Sequence, residues 1–141
     1  MQAGRVYWFY DTYGLDVYKD LRISAKVYHQ SKQLVAEVYR ITHHFPPQEQ
    51  YGLTNQIQRA VISIPSNIAE GMGRISLKER IHFLEIAYGS LMEVMCQLEV
   101  AELLNYLSKD ELEGQESKIT EISKMLISLR KTIEEKQSIN R

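Results

Sequence analysis

SLKERIHFLEIAYGSLMEVMCQL, residues 76–98, is the stretch of this sequence that decides the fold class. Its large apolar side chains recur at spacings of three and four residues, which place them along one face of an α-helix. They are Leu77, Ile81, Leu84, Tyr88, Leu91, Met95 and Leu98. A second set widens this face to one side: Phe83, Ala87, Val94 and Ala101. Because so wide an apolar face can contact two neighbours, we expect a helix that packs between others.

Two pairs of serine and glutamate predict where helices begin. Ser76 precedes Glu79 by three residues, and Ser108 precedes Glu111 by the same spacing. This is the spacing of a capping box, which satisfies backbone N–H groups that have no partner at a helix N-terminus. The first pair opens the third helix of the chain. The second opens a fourth, which we expect to end near Gln137.

Two more helices are predicted before residue 76. The first runs from about Leu21 to the segment His43–Pro47, whose two prolines cannot extend a helix. The second is expected to be capped by Thr54 and has an apolar stripe at Ile57, Val61, Ile64 and Ile68. Four amphipathic helices with short connections predict an all-α fold, an up-and-down antiparallel four-helix bundle over residues 21–137.

Residues 1–20 differ from the rest of the chain because they are rich in aromatic side chains and lack helical periodicity. We interpret them as an N-terminal extension, and residues 138–141 as a C-terminal tail. The cluster Val6–Tyr10 fits a short strand, a hydrophobic arm that packs on a neighbouring subunit, or an unstructured terminus. The sequence leaves these alternatives open.

Charge and cysteine content limit the function classes. The 17 basic and 18 acidic side chains give a formal net charge of -1, so any attraction for nucleic acid must be local. Residues 1–80 hold 10 basic and 7 acidic side chains, and residues 81–141 hold 7 and 11, so the basic surface is expected in the first half. Cys96 is the single cysteine, and no apolar run approaches the ~20 residues that span a bilayer. We therefore expect a cytoplasmic protein without a membrane partner.

The segment Ser63–Arg74, SIPSNIAEGMGR, places a proline and two glycines within the second helix. Pro65 lacks an N–H group and is expected to kink that helix, while Gly71 and Gly73 are expected to set the turn into the third. Opposite the apolar stripe runs a polar line: Arg59, Ser63, Asn67, Glu70 and Arg74.

The polar line has three interpretations. It fits a solvated face, or an interface in which Asn67 and Glu70 hydrogen-bond a partner helix. It also fits an anion-binding surface at the start of the third helix, where backbone N–H groups and basic side chains attract negative charge. The residues predicted for such a nucleic-acid or partner surface are Arg59, Arg74, Lys78 and Arg80.

Gly89 lies in the middle of the third helix, where a glycine costs about 1 kcal/mol relative to alanine. Close approach of another backbone would explain a glycine followed by the small Ser90. That backbone belongs either to the same chain or to a second copy. Together with the wide apolar face, Gly89 supports oligomerisation through a helix face.

Residues 51–74, YGLTNQIQRAVISIPSNIAEGMGR, and residues 83–104, FLEIAYGSLMEVMCQLEVAELL, resemble the four-helix-bundle proteins of the 23S rRNA intervening-sequence family. The resemblance spans about Asp20 to Glu113. It implies a bundle that assembles into a homopentamer, with no catalytic residues. It also implies kinship with the accessory proteins of diversity-generating retroelements, which bind a reverse transcriptase and nucleic acid. The positions that it marks as structural are Pro65, Asn67, Glu70, Gly71, Gly73 and Gly89.

Two features depart from this family. The family often shows consecutive arginines where this chain has Gln58 and Arg59, and residues 1–20 have no counterpart in it. The first departure weakens an RNA-binding role. The second leaves the N-terminal extension without an explanation.

Enzyme functions have weak support in the sequence. A di-iron bundle needs two Glu-x-x-His motifs, and the chain has one such spacing, from Glu79 to His82. Arg22 and His29 are similar to a pattern in small helical ribonucleases, which makes a ribonuclease the alternative function. We expect a non-enzymatic module without a cofactor or a small-molecule substrate. It is expected to self-associate into a ring and to bind RNA or a nucleoprotein partner.

Overall fold

The computed structural model describes the backbone of residues 18–139 and the side chains of residues 23–139, and this part of the chain forms four α-helices. They are α1 (Tyr18–Thr42), α2 (Leu53–Met72), α3 (Leu77–Leu103) and α4 (Lys109–Ile139), with a short 3-10 helix at Pro47–Glu49. No β-strand occurs among these residues, so the predicted all-α fold is confirmed.

The helix bounds differ slightly from those predicted. α1 begins at Tyr18, inside the segment assigned to the N-terminal extension, and α4 continues to Ile139, inside the segment assigned to the tail. The cluster Val6–Tyr10 lies outside the described residues.

The four helices pack in chain order, and α4 closes the bundle against α1. α2 and α3 run antiparallel: Ser63 hydrogen-bonds Ser90, whereas Gly71, later in α2, lies beside Phe83, earlier in α3. α4 and α1 also run antiparallel, as their paired side chains show: Arg40 with Glu111, Glu37 with Lys118 and Gln30 with Glu121. This is the up-and-down arrangement that short connections favour.

The core is one apolar cluster to which all four helices contribute. The predicted stripe of α2 is buried throughout, and Ala87, Val94 and Ala101 of α3 have no exposed surface. α3 therefore packs against both α2 and α4, as its wide apolar face predicts. Each fully buried leucine or isoleucine contributes roughly 1.5–3 kcal/mol by leaving water.

Serine side chains begin α3 and α4, as the sequence predicts. The Ser76 hydroxyl oxygen accepts a hydrogen bond from the Glu79 N–H group at 3.4 Å, and the Ser108 hydroxyl oxygen accepts one from the Glu111 N–H group at 3.1 Å. Both bonds satisfy a donor that the first turn of a helix leaves without a partner.

The start of α2 corrects the prediction that Thr54 caps it. The helix begins at Leu53, and Gly52, at the cap position, has no side chain to accept a hydrogen bond. A carboxylate oxygen of Glu49 accepts instead from the Leu53 N–H group at 3.0 Å. The cap was placed wrongly because the acceptor comes from the preceding 3-10 helix.

Asn105 ends α3 in a left-handed conformation, with a φ angle of 61°. The Tyr106 N–H group donates to the Ala101 carbonyl at 2.8 Å, and the Asn105 N–H group donates to the Glu102 carbonyl at 2.9 Å. These are the two hydrogen bonds of a Schellman motif, in which asparagine can replace the usual glycine. The turn brings the Tyr106 ring to 5.4 Å from the Phe45 ring.

Pro65 is buried inside α2, and the helix continues through it to Met72. Because Pro65 has no N–H group, it donates no hydrogen bond to the Val61 carbonyl one turn earlier. The kink predicted at this point stays a prediction.

Candidate functional site

The segment Ser63–Arg74 forms the corner between α2 and α3. Gly71 is buried, and a Cβ atom at this position would lie 3.0 Å from the Phe83 Cβ atom and 3.3 Å from the Arg80 carbonyl oxygen. The two helices approach this closely because Gly71 has no side chain. The Gly73 N–H group donates to carbonyl oxygens one turn earlier in α2 and ends the helix. Gly71 is therefore a packing residue, and Gly73 makes the turn.

Two residues of the polar line connect α2 to α3. The Asn67 side-chain amide donates to the Ser63 carbonyl at 2.7 Å and to the Ser63 hydroxyl at 2.9 Å. The Ser63 and Ser90 hydroxyl oxygens lie 2.8 Å apart. Asn67 thus reaches the neighbouring helix only through Ser63, while Glu70 pairs with Arg74 on its own side of the corner.

Arg74 and Arg80 both belong to this corner. The Arg74 guanidinium lies 2.6 Å from a Glu70 carboxylate oxygen and 4.9 Å from the centre of the Phe83 ring. Arg80 is only 7% exposed, and its Nε donates to the Arg74 carbonyl oxygen at 2.6 Å. Contrary to expectation, Arg80 therefore has little surface to offer a nucleic acid, and it holds the end of α2 against the start of α3.

Within the single chain, the four predicted basic residues do not form one surface. Lys78 is exposed at the start of α3, close to the corner that holds Arg74. Arg59 is exposed on α2, fifteen residues before Arg74, which is about 22 Å along a helix. Arg59 lies in an open groove of about 340 Å³ that is also lined by Asn55, Gln56, Ala60, Ser63, Ser90 and Glu93.

The outward side of α3 carries apolar residues among charged ones. Six exposed residues, spaced three or four apart and therefore on one helix face, form what we call the outer face of α3: Ile86, Gly89, Met92, Cys96, Val100 and Leu103. The exposed positions of α4 are, by contrast, mostly charged. The sequence predicted oligomerisation through a face of this helix but did not identify these residues, because spacing alone does not say which side of the helix faces solvent.

Gly89 lies within the outer face of α3. A Cβ atom added there would meet nothing within 4 Å among the described residues. Within the described residues, no backbone approaches Gly89 closely, whereas the neighbouring Ser90 is explained by its contact with Ser63. The approach of a second copy at Gly89 stays a prediction.

A group of charges joins α1 to α4. A Glu37 carboxylate oxygen lies 3.2 Å from the Lys118 ammonium, and Arg40 contacts the other Glu37 oxygen at 3.0 Å. Burial raises the pKa of Glu37, but the hydrogen bonds and charges of Arg40 and Lys118 outweigh it, so the net pKa lies below the ordinary 4.5. These residues line a second groove, of about 560 Å³, whose floor is the apolar pair Leu34 and Ile122.

Residues considered for catalysis or metal binding are not brought together in the described part of the chain. His29 is half-buried on α1, and the side chain of Arg22 lies outside the described residues. Among the described residues, no three His, Cys, Asp or Glu side chains are arranged to hold a metal ion. No helix within residues 18–139 is long and apolar enough to cross a bilayer.

Comparison with known proteins identifies the family. The sequence model of the 23S rRNA-intervening sequence protein matches residues 24–128, which is most of the bundle. The chain belongs to this family. A crystal structure of a protein of unknown function from the S23 ribosomal protein family of Bacteroides thetaiotaomicron is similar, with a TM-score of 0.72 and 26% identity over 77% of this chain and 98% of that one. None of the curated proteins compared matches the chain.

Membership of the 23S rRNA-intervening sequence protein family confirms the resemblance carried by the second and third helices. The matched residues include the whole corner between α2 and α3 and the outer face of α3, and they leave out residues 1–23. Kinship with the accessory proteins of diversity-generating retroelements stays a prediction.

Proposed function

We propose that this member of the 23S rRNA-intervening sequence protein family is a non-catalytic assembly module. Identical copies associate into a ring, with a homopentamer as the expected size. The assembled ring binds RNA, alone or within a nucleoprotein, through basic side chains that are repeated around it. The module works in the cytoplasm.

The observation that carries self-association is the exposed outer face of α3. Exposed apolar side chains grouped on one helix face mark interaction sites in soluble proteins, because leaving them in water is unfavourable. Met92 and Val100 are each more than a third exposed, and Leu103 is 78% exposed. A second copy that covers these side chains removes them from water without any change in the bundle.

RNA binding is supported by the family name and by two exposed cations. Arg59 forms no ion pair within the described residues, and Lys78 is exposed at the start of α3. A single chain places them far apart, and a ring would repeat each of them on every copy. Phosphate contacts of this type give binding that weakens steeply as salt rises.

Light scattering coupled to size exclusion, at low and moderate salt, tests the proposal. A mass near five times 16.4 kDa supports the ring, and co-elution with a structured RNA fragment that fades as salt rises supports the RNA role. The double variant Arg59→Ala with Lys78→Ala is expected to lose RNA binding. A control that removes two exposed lysines of α4, Lys124→Ala with Lys131→Ala, is expected to keep it.

A ribonuclease is the outcome that would overturn the non-catalytic role. Incubation of the protein with the same RNA should leave the RNA intact. Cleavage that disappears on His29→Ala, while the helical circular dichroism is unchanged, would show that the chain is an enzyme.

A further inference from the structure

The outer face of α3 is bordered by negative charge. Glu93 and Glu99 are exposed beside its apolar residues. From residue 81 to residue 108 the sequence contains no lysine or arginine. A partner that covers the apolar residues therefore meets carboxylates at the rim, and a basic rim would complement them.

α1 is the helix whose charge complements α3. It contains five basic and two acidic residues, whereas α3 contains two basic and five acidic ones. Of the four helices, α1 is the one with more basic than acidic residues. Three exposed positions spaced four and three apart form the outer face of α1: Lys32, Ala36 and Tyr39. The exposed His43 directly follows the helix.

The outer face of α1 also suits close packing. Ala36 is small and exposed, and the exposed Tyr39 next to it offers an apolar ring. The single acidic residue of this part of α1, Glu37, is paired with Arg40 and with Lys118 of α4. The Lys32 ammonium lies 4.5 Å from the centre of the Tyr28 ring and forms no ion pair within the described residues, so it is not neutralised by an acidic residue on that face.

Contact between two α3 helices is disfavoured by the same charges. Such a contact would bring together two helices that each contain five acidic and two basic residues. Like charges placed together at an interface lower affinity and act against that pairing. A contact between two different faces avoids this repulsion, and contacts of this type generate rings when the rotation closes.

We propose that the outer face of α3 docks on the outer face of α1 of a second copy of this chain, with Gly89 as the point of closest backbone approach. This rests on the self-association proposed above and names the surfaces that form it. Because α1 and α3 lie diagonally in the bundle, each copy uses both faces at once. Every copy thus has one neighbour on α3 and another on α1.

Two exposed glycines provide a matched test. Gly89 in α3 and Gly114 in α4 both have open space where a Cβ atom would lie, so a lysine at either position leaves the fold of the single chain intact. Gly89→Lys is expected to weaken association at least about tenfold in sedimentation velocity, because the new side chain occupies the interface. Gly114→Lys is expected to associate like the unchanged protein.

The thiol of Cys96 reports on the same face without a change in sequence. It is exposed in the single chain and lies at the centre of the outer face of α3. Its alkylation by iodoacetamide is expected to be slow in the assembled protein and fast in Gly89→Lys. Equal rates at concentrations where the protein is assembled would place the interface elsewhere.

Charge reversal tests the choice of α1. Glu99→Lys and Lys32→Glu are each expected to weaken association, and the two together to restore part of it, because the attraction is rebuilt with opposite sign. Lys124→Glu on α4 serves as the control and is expected to change little.

The outcomes separate this inference from the proposed function. An unchanged protein that stays monomeric at every concentration overturns self-association itself. Assembly that persists in Gly89→Lys keeps self-association and overturns the α3 surface. If Gly89→Lys is monomeric while Glu99→Lys associates more tightly, the contact joins two α3 helices, and docking on α1 is wrong.

Discussion

The Tyr106 hydroxyl donates a hydrogen bond to a Glu49 carboxylate oxygen at 3.2 Å, although 57 residues separate the two in the sequence. The other oxygen of that carboxylate accepts from the Leu53 N–H group at 3.0 Å. Glu49 thus joins the start of α2 to the turn that follows α3. One side chain from a three-residue 3-10 helix therefore fixes two corners of the bundle.

Glu49→Ala is expected to lower the free energy of unfolding by about 1–2 kcal/mol, because it removes a helix cap and a side-chain hydrogen bond. Tyr106→Phe removes only the side-chain hydrogen bond, so it is expected to lower the free energy of unfolding by less. Urea denaturation followed by circular dichroism measures both. Gln48→Ala, in the same short helix and exposed, is the control, and equal costs for Gln48→Ala and Glu49→Ala would contradict the role of the carboxylate.

Gly71→Ala is expected to destabilise the bundle by about 1–3 kcal/mol, since its Cβ atom would be forced against the Phe83 Cβ atom and the Arg80 carbonyl oxygen. Gly114→Ala, in open space on α4, is expected to stabilise the protein by about 0.5–1 kcal/mol. Thermal unfolding of the two variants beside the unchanged protein shows the difference in sign. A stabilising Gly71→Ala would mean that α2 and α3 can separate at this corner without loss.

Ser63 and Ser90 are expected to be energetically coupled, because their hydroxyl groups bond each other between two packed helices. A double-mutant cycle of Ser63→Ala and Ser90→Ala is predicted to give a coupling free energy of about 0.5–1.5 kcal/mol. Chemical denaturation of the unchanged protein, the two single variants and the double variant measures this coupling free energy. The exposed Ser66 provides the control cycle with Ser90, in which additive costs are expected.

We expect that lowering the pH removes the stabilising contribution of the ionised Glu37 side chain to the free energy of unfolding. Its pKa is lower in the folded chain than the ordinary 4.5 because Arg40 and Lys118 favour the ionised form more than burial disfavours it. Such a group stabilises the fold above its unfolded pKa, and this contribution is lost as the pH falls below about 4.5. Glu37→Gln is therefore predicted to be less stable than the unchanged protein near neutral pH and to lose less on acidification.

Unfolding curves recorded at a series of pH values test the role of Glu37. Glu113→Gln serves as the control, since Glu113 is exposed and forms no ion pair within the described residues. Curves for Glu37→Gln that run parallel to those of the unchanged protein across this pH range would show that the pairing with Arg40 and Lys118 does not influence folding.

Local patterns in the sequence were sufficient for the helices and for two of their starts. The spacing of Leu84, Leu91 and Leu98 predicts one buried face, and all three are buried. The caps at Ser76 and Ser108 are confirmed because both partners of each hydrogen bond lie within three residues. The cap of α2 was predicted wrongly because its acceptor belongs to another helix.

The candidate site was less predictable than the fold. The sequence pattern predicted that Arg80 is a surface cation, whereas the structure shows it buried in the corner between α2 and α3. The sequence pattern also left two explanations open for Gly89, and the structure shows open space around it within the described residues. Both outcomes depend on which helices are neighbours, which residue spacing does not specify.

The sequence by itself determined that this chain forms four amphipathic helices, because the period of apolar residues and the capping side chains act over a few residues. Only the tertiary structure decided which polar residues are enclosed and which apolar ones stay in water. α3 has apolar residues on two sides, and its neighbours α2 and α4 cover one of them. The other side, from Ile86 to Leu103, is exposed because none of the other three helices, within the part of the chain that the structure describes, packs against it.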